Sequence, residues 1–300
     1  MSNYHPIQYS GFKRHTGFTL LELLIALFLG LLLIAGVIQL YLSSKQAFRS
    51  QETNAQIQDD ARFVIDTIIR QLHHSGLRNN PKESQGEAFP EVEADDLSFP
   101  SGWPSAWEID FGRGQSIIGQ DGNNTDGIPQ DRLYFRSQAY GEDDTLTNCS
   151  GGNLGGGSTT IFYIDDATKS LQCVFNGSRI SLVNNVVGMD ISYKVDMVEF
   201  SPDNPQALMT ATQIEEYNAA VVAADNDDFI PPKNLWNRVI GVKIDFLLRS
   251  QNTNITTETQ SINFNGVTAT PDENRLFRTF STAVMLRNSP GVNSSELLDD

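Results

Sequence analysis

Few side chains in this 300-residue sequence are of the types that act as nucleophiles or metal ligands. The histidines are His5, His15, His73 and His74, and the cysteines are Cys149 and Cys173. His73 and His74 are adjacent near the predicted end of a helix, so their side chains point about 100° apart and suit a metal ion poorly. The chain therefore has very few histidines and cysteines from which a Ser-His-Asp or Cys-His catalytic site could be formed. We therefore predict no enzyme activity, no cofactor and no metal site.

Two loop segments have the composition of ligand-binding loops. Asp121 to Gly127 is similar to a calcium loop, but Asp126 stands where an EF-hand has glycine and Arg132 stands where it has glutamate. An ordinary Asp/Asn/Gly turn is the favoured interpretation, and calcium binding is the alternative. The glycine-rich residues 151–157 lack the Lys-Ser/Thr of a phosphate loop, which indicates a flexible connection.

Glu22 lies in an unusual place for a carboxylate. Apart from Glu22 and the phenol of Tyr41, residues 18–42 carry no ionisable side chain. As a helix this segment covers roughly 37 Å, enough to cross a hydrocarbon core of about 30 Å. A carboxylate at that depth costs at least ~2.5 kcal/mol and is usually paired and functional. Glu22 is therefore either a charge used in assembly or a side chain that reaches the membrane surface.

The residues before this segment indicate its orientation. Lys13, Arg14 and His15 precede Thr16 and Gly17. By the positive-inside rule the N-terminus stays cytoplasmic, and the residues after the apolar segment are exported. A candidate cleavage site at Gly17 precedes the apolar segment, whereas a secretory signal peptide is cut after it.

This N-terminal motif resembles the class III leader of type IV prepilins. The resemblance rests on a basic leader that ends in Gly17, followed by Phe18-Thr19-Leu20-Leu21-Glu22. It implies that a prepilin peptidase removes residues 1–17 by cleaving between Gly17 and Phe18, and that Phe18 is then N-methylated. It also implies that Glu22, the fifth mature residue, is the assembly charge that meets the N-terminal amine of a neighbouring subunit.

The predicted helix has no stop signal at Leu42. Residues 43–75 contain neither proline nor glycine, and Gly76 is well suited to end a helix. The apolar residues expected to form one stripe are Phe48, Ala55, Ala61, Ile65, Ile68 and Leu72. We predict a helix of roughly 58 residues from Phe18, with an apolar half at 18–42 and an amphipathic half at 43–76.

Charge and cysteine content limit the function of the exported part. The formal net charge is −16, and loss of the leader with Lys13 and Arg14 leaves 19 basic and 37 acidic residues, or −18. Such a surface repels phosphate backbones, so we expect no direct binding of nucleic acid. Cys149 and Cys173 both lie after the helix, where an oxidising compartment permits a disulfide, and we predict that they form one.

The hydrophobic period changes to two after an irregular crossing at 77–105, which predicts a mostly antiparallel β-rich domain at 77–300. The predicted strands are 107–111, 132–138, 159–164, 171–175, 179–183, 186–195, 239–248, 256–264 and 276–286. An insertion at about 201–234 contains a predicted helix that begins at a capping box formed by Thr212 and Glu215. The predicted fold class is therefore α+β.

Further motifs are similar to those of the PilW-type minor pilins. They lie at 131–136, at Leu171-Gln172-Cys173, at 182–189, at 236–250 and at 278–288. The resemblance covers nearly the whole mature chain and fits least well at 201–234. It implies a pilin-like fold, in which the long N-terminal helix packs on a mostly antiparallel β-sheet domain.

The resemblance also implies a function. We expect a minor pilin that helps to initiate and assemble a type IV pilus, in a tip or priming complex, and so supports adhesion, twitching motility or DNA uptake. The expected partners are other minor pilins, the major pilin, prepilin peptidase, the inner-membrane assembly platform and a tip adhesin. The chain is expected to cross the inner membrane once, with its C-terminal domain in the periplasm, and then to reach the pilus at the cell surface. A minor pseudopilin of type II secretion and an adhesin module displayed on the fibre are the alternatives.

Overall fold

The computed structural model describes residues 17–139, 146–154, 156–197, 206–224, 234–256, 258–271 and 274–288. The chain divides into two compact units, residues 1–51 and 52–300. The leader before Gly17 and parts of the 201–234 segment lie outside the described residues.

Helix α1 comprises Leu20–Leu72. It begins two residues after Phe18 and ends three residues before Ser75, where we had predicted its last residue. In the first unit, its residues between Leu20 and Leu42 are exposed on every side of the helix, apart from Gly30, which is half-buried. Among the described residues, α1 is the one helix long and apolar enough to cross a membrane.

In the second unit, α1 buries one stripe. The apolar members of the stripe are Ile57, Ala61, Val64, Ile68 and Leu72, and the polar members are Thr53, Thr67 and Gln71. The predicted stripe is correct at Ala61, Ile68 and Leu72 and wrong at Phe48 and Ala55, which are exposed. At about 100° per residue, Phe48 and Ala55 lie roughly 160° and 140° from Ile68, on the opposite side of the helix.

Two antiparallel sheets form most of the domain. The first has the order β1-β2-β3-β4-β5, with strands at Ile117–Gln120, Arg132–Ser137, Ser158–Asp165, Ser170–Phe175 and Ser178–Asn184. The second has the order β11-β8-β6-β7, in which β6 is Val186–Asp196, β7 is Gln206–Met209, β8 is Val239–Arg249 and β11 is Phe277–Met285. A two-stranded hairpin pairs β9 (Ile262–Phe264) with β10 (Val267–Ala269). The structure thus has the predicted α+β fold, with a long N-terminal helix and antiparallel sheets.

Seven of the predicted strands are confirmed, from β2 to β6 and at β8 and β11, and no end differs from its predicted position by more than one residue. The strand predicted at 107–111 is wrong, because Ser105–Trp107 is a 3-10 turn and only Phe111 pairs, in an isolated bridge with Val92. The side chain of Tyr134 donates a hydrogen bond to the Trp107 carbonyl at 2.7 Å. Arg132 lies 4.0 Å from the centroid of the Trp107 ring. These contacts hold Trp107 against β2, although residues 107–111 do not form the predicted strand.

The strand predicted at 256–264 is shortened to Ile262–Phe264. The short strands β1, β7 and β10 have no counterpart among the predicted strands. The irregular crossing contains a four-residue helix, α2 (Gln85–Ala88). A capping box formed by Ser84 and Glu87 lies at the start of this helix. It also contains a 3-10 turn at Ala94–Asp96.

The core lies between the α1 stripe and the two sheets, where Phe135, Phe162, Phe246 and Trp236 are among the largest fully buried side chains. A smaller cluster lies under the β9-β10 hairpin and consists of Ile128, Val187, Leu247, Ile262, Phe264, Ala269 and Phe277. The two sheets are joined where Gln130 pairs with Met189 in a parallel bridge.

Helix α3 (Ala211–Ala224) is the predicted helix of the insertion, but its start differs from the prediction. The capping box consists of Thr210 and Gln213, whose side chains accept hydrogen bonds from each other's backbone N–H. Glu215, assigned to the box from the sequence, instead accepts a hydrogen bond from the Trp236 indole at 2.6 Å. The Asp121 carboxylate accepts hydrogen bonds from the first backbone N–H groups of α3. Contacts from distant residues therefore fix this helix on the sheet.

Candidate functional site

The candidate processing site lies just outside α1. Gly17, Phe18 and Thr19 precede the helix, and Phe18 is 82% exposed. Thr19 Oγ1 accepts a hydrogen bond from the backbone N–H of Glu22 at 3.2 Å, so Thr19 caps the helix. The bond between Gly17 and Phe18 therefore lies in a non-helical segment.

Glu22 lies in the first turn of α1 and is exposed. A carboxylate there interacts favourably with the positive end of the helix dipole, by ~0.3–1 kcal/mol at an exposed position. That is less than the cost of a carboxylate in a bilayer, so the dipole alone does not compensate for its position. An apolar helix exposed on all sides needs lipid or other apolar helices around it. The arrangement can present one negative charge to a positive group of a neighbouring helix.

Cys149 and Cys173 form a disulfide in the structure, with Cα atoms 6.5 Å apart. Cys173 is fully buried in β4, and Cys149 lies in the loop at 146–154. The side chain of Asn148 shapes this loop, because it accepts hydrogen bonds from the Ser150 and Gly152 N–H groups and donates one to the Asn153 carbonyl. Residues 151–154 are thus more constrained than the flexible connection that we predicted, while Gly155 lies outside the described residues.

The disulfide loop also contacts α1. Gln71 Nε2 donates a hydrogen bond to the Thr147 carbonyl at 2.9 Å. The bridge to Cys173 holds the loop on β4, and the Gln71 contact holds it on the helix. The disulfide therefore helps to connect the helix to the first sheet.

Loss of the disulfide is expected to lower the free energy of unfolding by about 3 kcal/mol, the chain-entropy value for a closed loop of about 25 residues. Chemical denaturation of the detergent-solubilised protein, with and without reductant, measures the difference. The Cys149→Ser/Cys173→Ser double variant is the control, since reductant has no bond to break in it. Two reactive thiols in unreduced periplasmic material would contradict the prediction.

The calcium alternative at Asp121 to Gly127 gains no support from the geometry. Asn124 Oδ1 accepts hydrogen bonds from the N–H groups of Asp126 and Ile128, both at 2.9 Å. The Asp121 carboxylate is directed to the start of α3. These oxygens accept amide hydrogens, as in an ordinary Asx turn. In the described part of the chain, no three acidic, histidine or cysteine side chains are arranged to hold a metal ion.

Asp131, the first residue of the motif at 131–136, is a buried carboxyl group to which the sequence analysis gave no role. Its oxygens accept hydrogen bonds from the backbone N–H groups of Gly122 at 3.0 Å and Ile191 at 2.7 Å. It therefore joins the end of the first sheet to β6 of the second. Burial raises the pKa of Asp131 to about 7, and the charges of Asp121 and Asp190 also raise it, whereas the two N–H donors lower it. A buried Asp side chain within a sheet junction leaves no local signal in the sequence.

The contribution of Asp131 to the stability of the domain is expected to fall as the pH rises from about 4 to 7. The folded-state pKa of Asp131 lies above its unfolded value of 3.8, so the folded chain retains a proton that the unfolded chain has released. The contribution is complete below pH 4, is lost by about pH 7, and is at most on the order of 4 kcal/mol. Denaturation of wild type and Asp131→Asn at pH 5 and pH 8 measures it.

Comparison of how the unfolding free energy of the two proteins changes with pH isolates the contribution of the Asp131 proton. Asp131→Asn retains one oxygen for two N–H donors, which costs about 1–3 kcal/mol at every pH. The difference in unfolding free energy between pH 5 and pH 8 should therefore be smaller in the variant than in wild type. Equal differences would show that Asp131 does not titrate in this range.

Two family models match the chain. The model described as Type IV Pilus-assembly protein W matches residues 161–288. The model described as Prokaryotic N-terminal methylation motif matches residues 12–38, which include Gly17, Phe18 and Glu22. The two matches thus cover the N-terminal motif and the part of the domain from β3 to β11.

A solved structure with similarity to this one is a type IV-like pilin from Thermus thermophilus. The two chains are 9% identical, with a TM-score of 0.38, and the match covers 77% of this chain and 97% of the Thermus chain. No curated protein matches the sequence.

Proposed function

We propose that this chain, which its two family matches support as a PilW-type prepilin, is a minor pilin that helps to initiate and assemble a type IV pilus. Membership of the type IV pilin family implies assembly with other pilins and with the pilus machinery. The observation that carries the proposal is the construction of α1. A cleavage motif, one carboxylate and an exposed apolar half precede an amphipathic half that packs into the chain's own domain.

The leader and the apolar half of α1 support anchoring in a membrane. The proposed topology places Lys13 and Arg14 in the cytoplasm and the β-domain in the periplasm, because basic residues remain inside. Prepilin peptidase cleaves after Gly17 at the cytoplasmic face, and Phe18 becomes the methylated N-terminus. The mature chain then leaves the inner membrane for the pilus at the cell surface, through the inner-membrane assembly platform.

The proposed position is within a tip or priming complex. A subunit at the extreme tip has no subunit ahead of it and needs no carboxylate to pair with that subunit's amine, whereas this chain keeps Glu22. A second minor pilin therefore lies ahead of it, and the major pilin follows. The large domain after the helix also argues against close repetition along a thin fibre. In this position the subunit supports adhesion, twitching motility or DNA uptake by promoting fibre formation.

Co-purification tests the proposal. The full-length protein, extracted in mild detergent from cells with a type IV pilus, is expected to recover other minor pilins together with a tip adhesin. Recovery of type II secretion pseudopilins in their place would assign the chain to a pseudopilus. Recovery of neither set would overturn the assembly role.

A further inference from the structure

A cleft in the domain is not used by the proposed assembly function. It has a volume of about 510 Å³ and lies between the crossing segment, the end of β2 and the start of β3. Pockets that hold small ligands are typically ~300–1,000 Å³, so the cleft has room for one or two sugar rings. Every residue that lines it belongs to the second unit.

The walls of the cleft are held by buried contacts. Arg136 is 6% exposed, and its guanidinium donates hydrogen bonds to the carbonyl oxygens of Phe89, Pro90 and Gln115. Ser137 and Ser158 join across the two strands through a hydrogen bond of 3.0 Å between their hydroxyl groups. A cleft with walls of this kind is formed before a ligand binds, which lowers the entropic cost of binding.

The lining indicates the chemistry of the ligand. Its exposed or half-buried polar side chains are Asp96, Ser98, Gln138, Thr159 and Asn176, beside the apolar Val92 and Leu97. The amides of Gln138 and Asn176 already bond to backbone groups of Ala88, Asn79 and Thr159. The hydroxyl groups of Ser98 and Thr159 and the Asp96 carboxylate match the hydroxyl groups of a sugar, which both donate and accept hydrogen bonds. The apolar residues match the C–H face of a sugar ring.

The charges argue against an anionic ligand. Among the lining residues that the structure describes, only Asp96 and Arg136 are charged. Arg136 directs its N–H groups to backbone carbonyls, while Asp96 is exposed at the rim. The net charge of the mature chain, −18 after loss of Lys13 and Arg14 from a chain at −16, adds long-range repulsion.

We propose that this cleft binds a neutral saccharide, with Asp96 and Ser98 as hydrogen-bonding residues at its rim. This activity is separate from assembly. It would allow a subunit that is part of the fibre to bind glycans. It does not depend on whether the fibre is a pilus or a pseudopilus.

Two glycines provide a matched pair of variants. A side chain added at Gly157 or at Gly156 meets no atom of the described residues within 4 Å of its Cβ. Gly157 lines the cleft, whereas Gly156 is not among the lining residues. Gly157→Phe should therefore obstruct the cleft, and Gly156→Phe should add the same bulk beside it. Neither substitution is expected to change the fold.

A second pair tests the carboxylate. Asp95 and Asp96 are both exposed and lie in the same 3-10 turn, Ala94–Asp96, but only Asp96 lines the cleft. Asp96→Asn and Asp95→Asn change the net charge equally. A hydrogen bond to a charged group is worth ~1.5–3 kcal/mol, so loss of the Asp96 charge should weaken binding by about ten-fold or more.

The experiment uses the full-length detergent-solubilised protein on an array of neutral oligosaccharides, acidic oligosaccharides and peptides, followed by calorimetry with the best neutral oligosaccharide. We expect binding to neutral oligosaccharides that Gly157→Phe weakens at least about ten-fold and Gly156→Phe leaves within about two-fold. Binding to acidic oligosaccharides or peptides alone, absence of binding, or equal loss in both glycine variants would overturn the proposal. Unchanged recovery of pilin partners by Gly157→Phe separates this site from assembly.

Discussion

Replacement of Gly17 by leucine is expected to abolish leader removal, so that the chain accumulates as a precursor about 17 residues longer than the mature form. In the structure, a side chain added at Gly17 meets no atom of the described residues within 4 Å, and Thr19 still caps α1. The defect would therefore arise at the peptidase and not from misfolding. Mass spectrometry of membrane-extracted protein measures it, and wild type should begin at a methylated Phe18.

Gly30→Leu is the matched control for Gly17→Leu. Gly30 also has open space around its Cβ position, but it lies inside α1 and away from the cleavage site. It should be processed as wild type. An intact Met1 on the wild-type protein, in cells that contain the peptidase, would contradict the prediction that the leader is removed.

Removal of the Glu22 charge is expected to preserve insertion and cleavage but to prevent stable recruitment into the pilin complex. Loss of one partner from a buried ion pair costs about 3–5 kcal/mol, which is more than a hundred-fold in a binding constant. Recovery of minor pilins with Glu22→Ala should therefore fall by at least about ten-fold, and surface piliation should fall with it. Quantitative co-purification against wild type measures the loss.

Glu22→Gln separates the charge from the shape of the side chain. The backbone N–H of residue 22, which bonds to Thr19 Oγ1, is retained in the glutamine variant, so the start of α1 should be retained. If charge pairing is the role of Glu22, the Gln and Ala variants should fail alike. Glu52→Gln, an exposed substitution in the second unit of the same helix, is the control for a general charge effect. Equal recovery of partners with Glu22→Ala would return Glu22 to the alternative of a side chain that reaches the membrane surface.

The α+β fold class could be predicted from the sequence because α1 and most strands have a regular hydrophobic period. The strands at β3, β4 and β8 extend their predicted bounds by only one or two residues. The failures occur where local patterns are ambiguous. Residues 107–111 alternate as a strand does, yet their place is decided by contacts between Trp107, Arg132 and Tyr134.

The start of α3 shows the same limit. Thr210 and Thr212 each have an acid or amide three residues later, at Gln213 and Glu215. Either pair satisfies the local rule for a capping box. Asp121, about 90 positions away, accepts hydrogen bonds from the N–H groups of Ala211 and Thr212, and Trp236 binds Glu215. Contacts from distant residues therefore select the earlier box.

The sequence by itself determined the N-terminal motif, the apolar and amphipathic halves of α1 and the acidic character of the chain. These features depend on neighbouring residues, on a short hydrophobic period or on composition. Only the tertiary structure decided the burial of Asp131, the contact between the Cys149 loop and Gln71, and the cleft beside Asp96. Each of these joins residues far apart in the chain, and their proximity results from packing between sheets, helix and crossing segment, which no local pattern encodes.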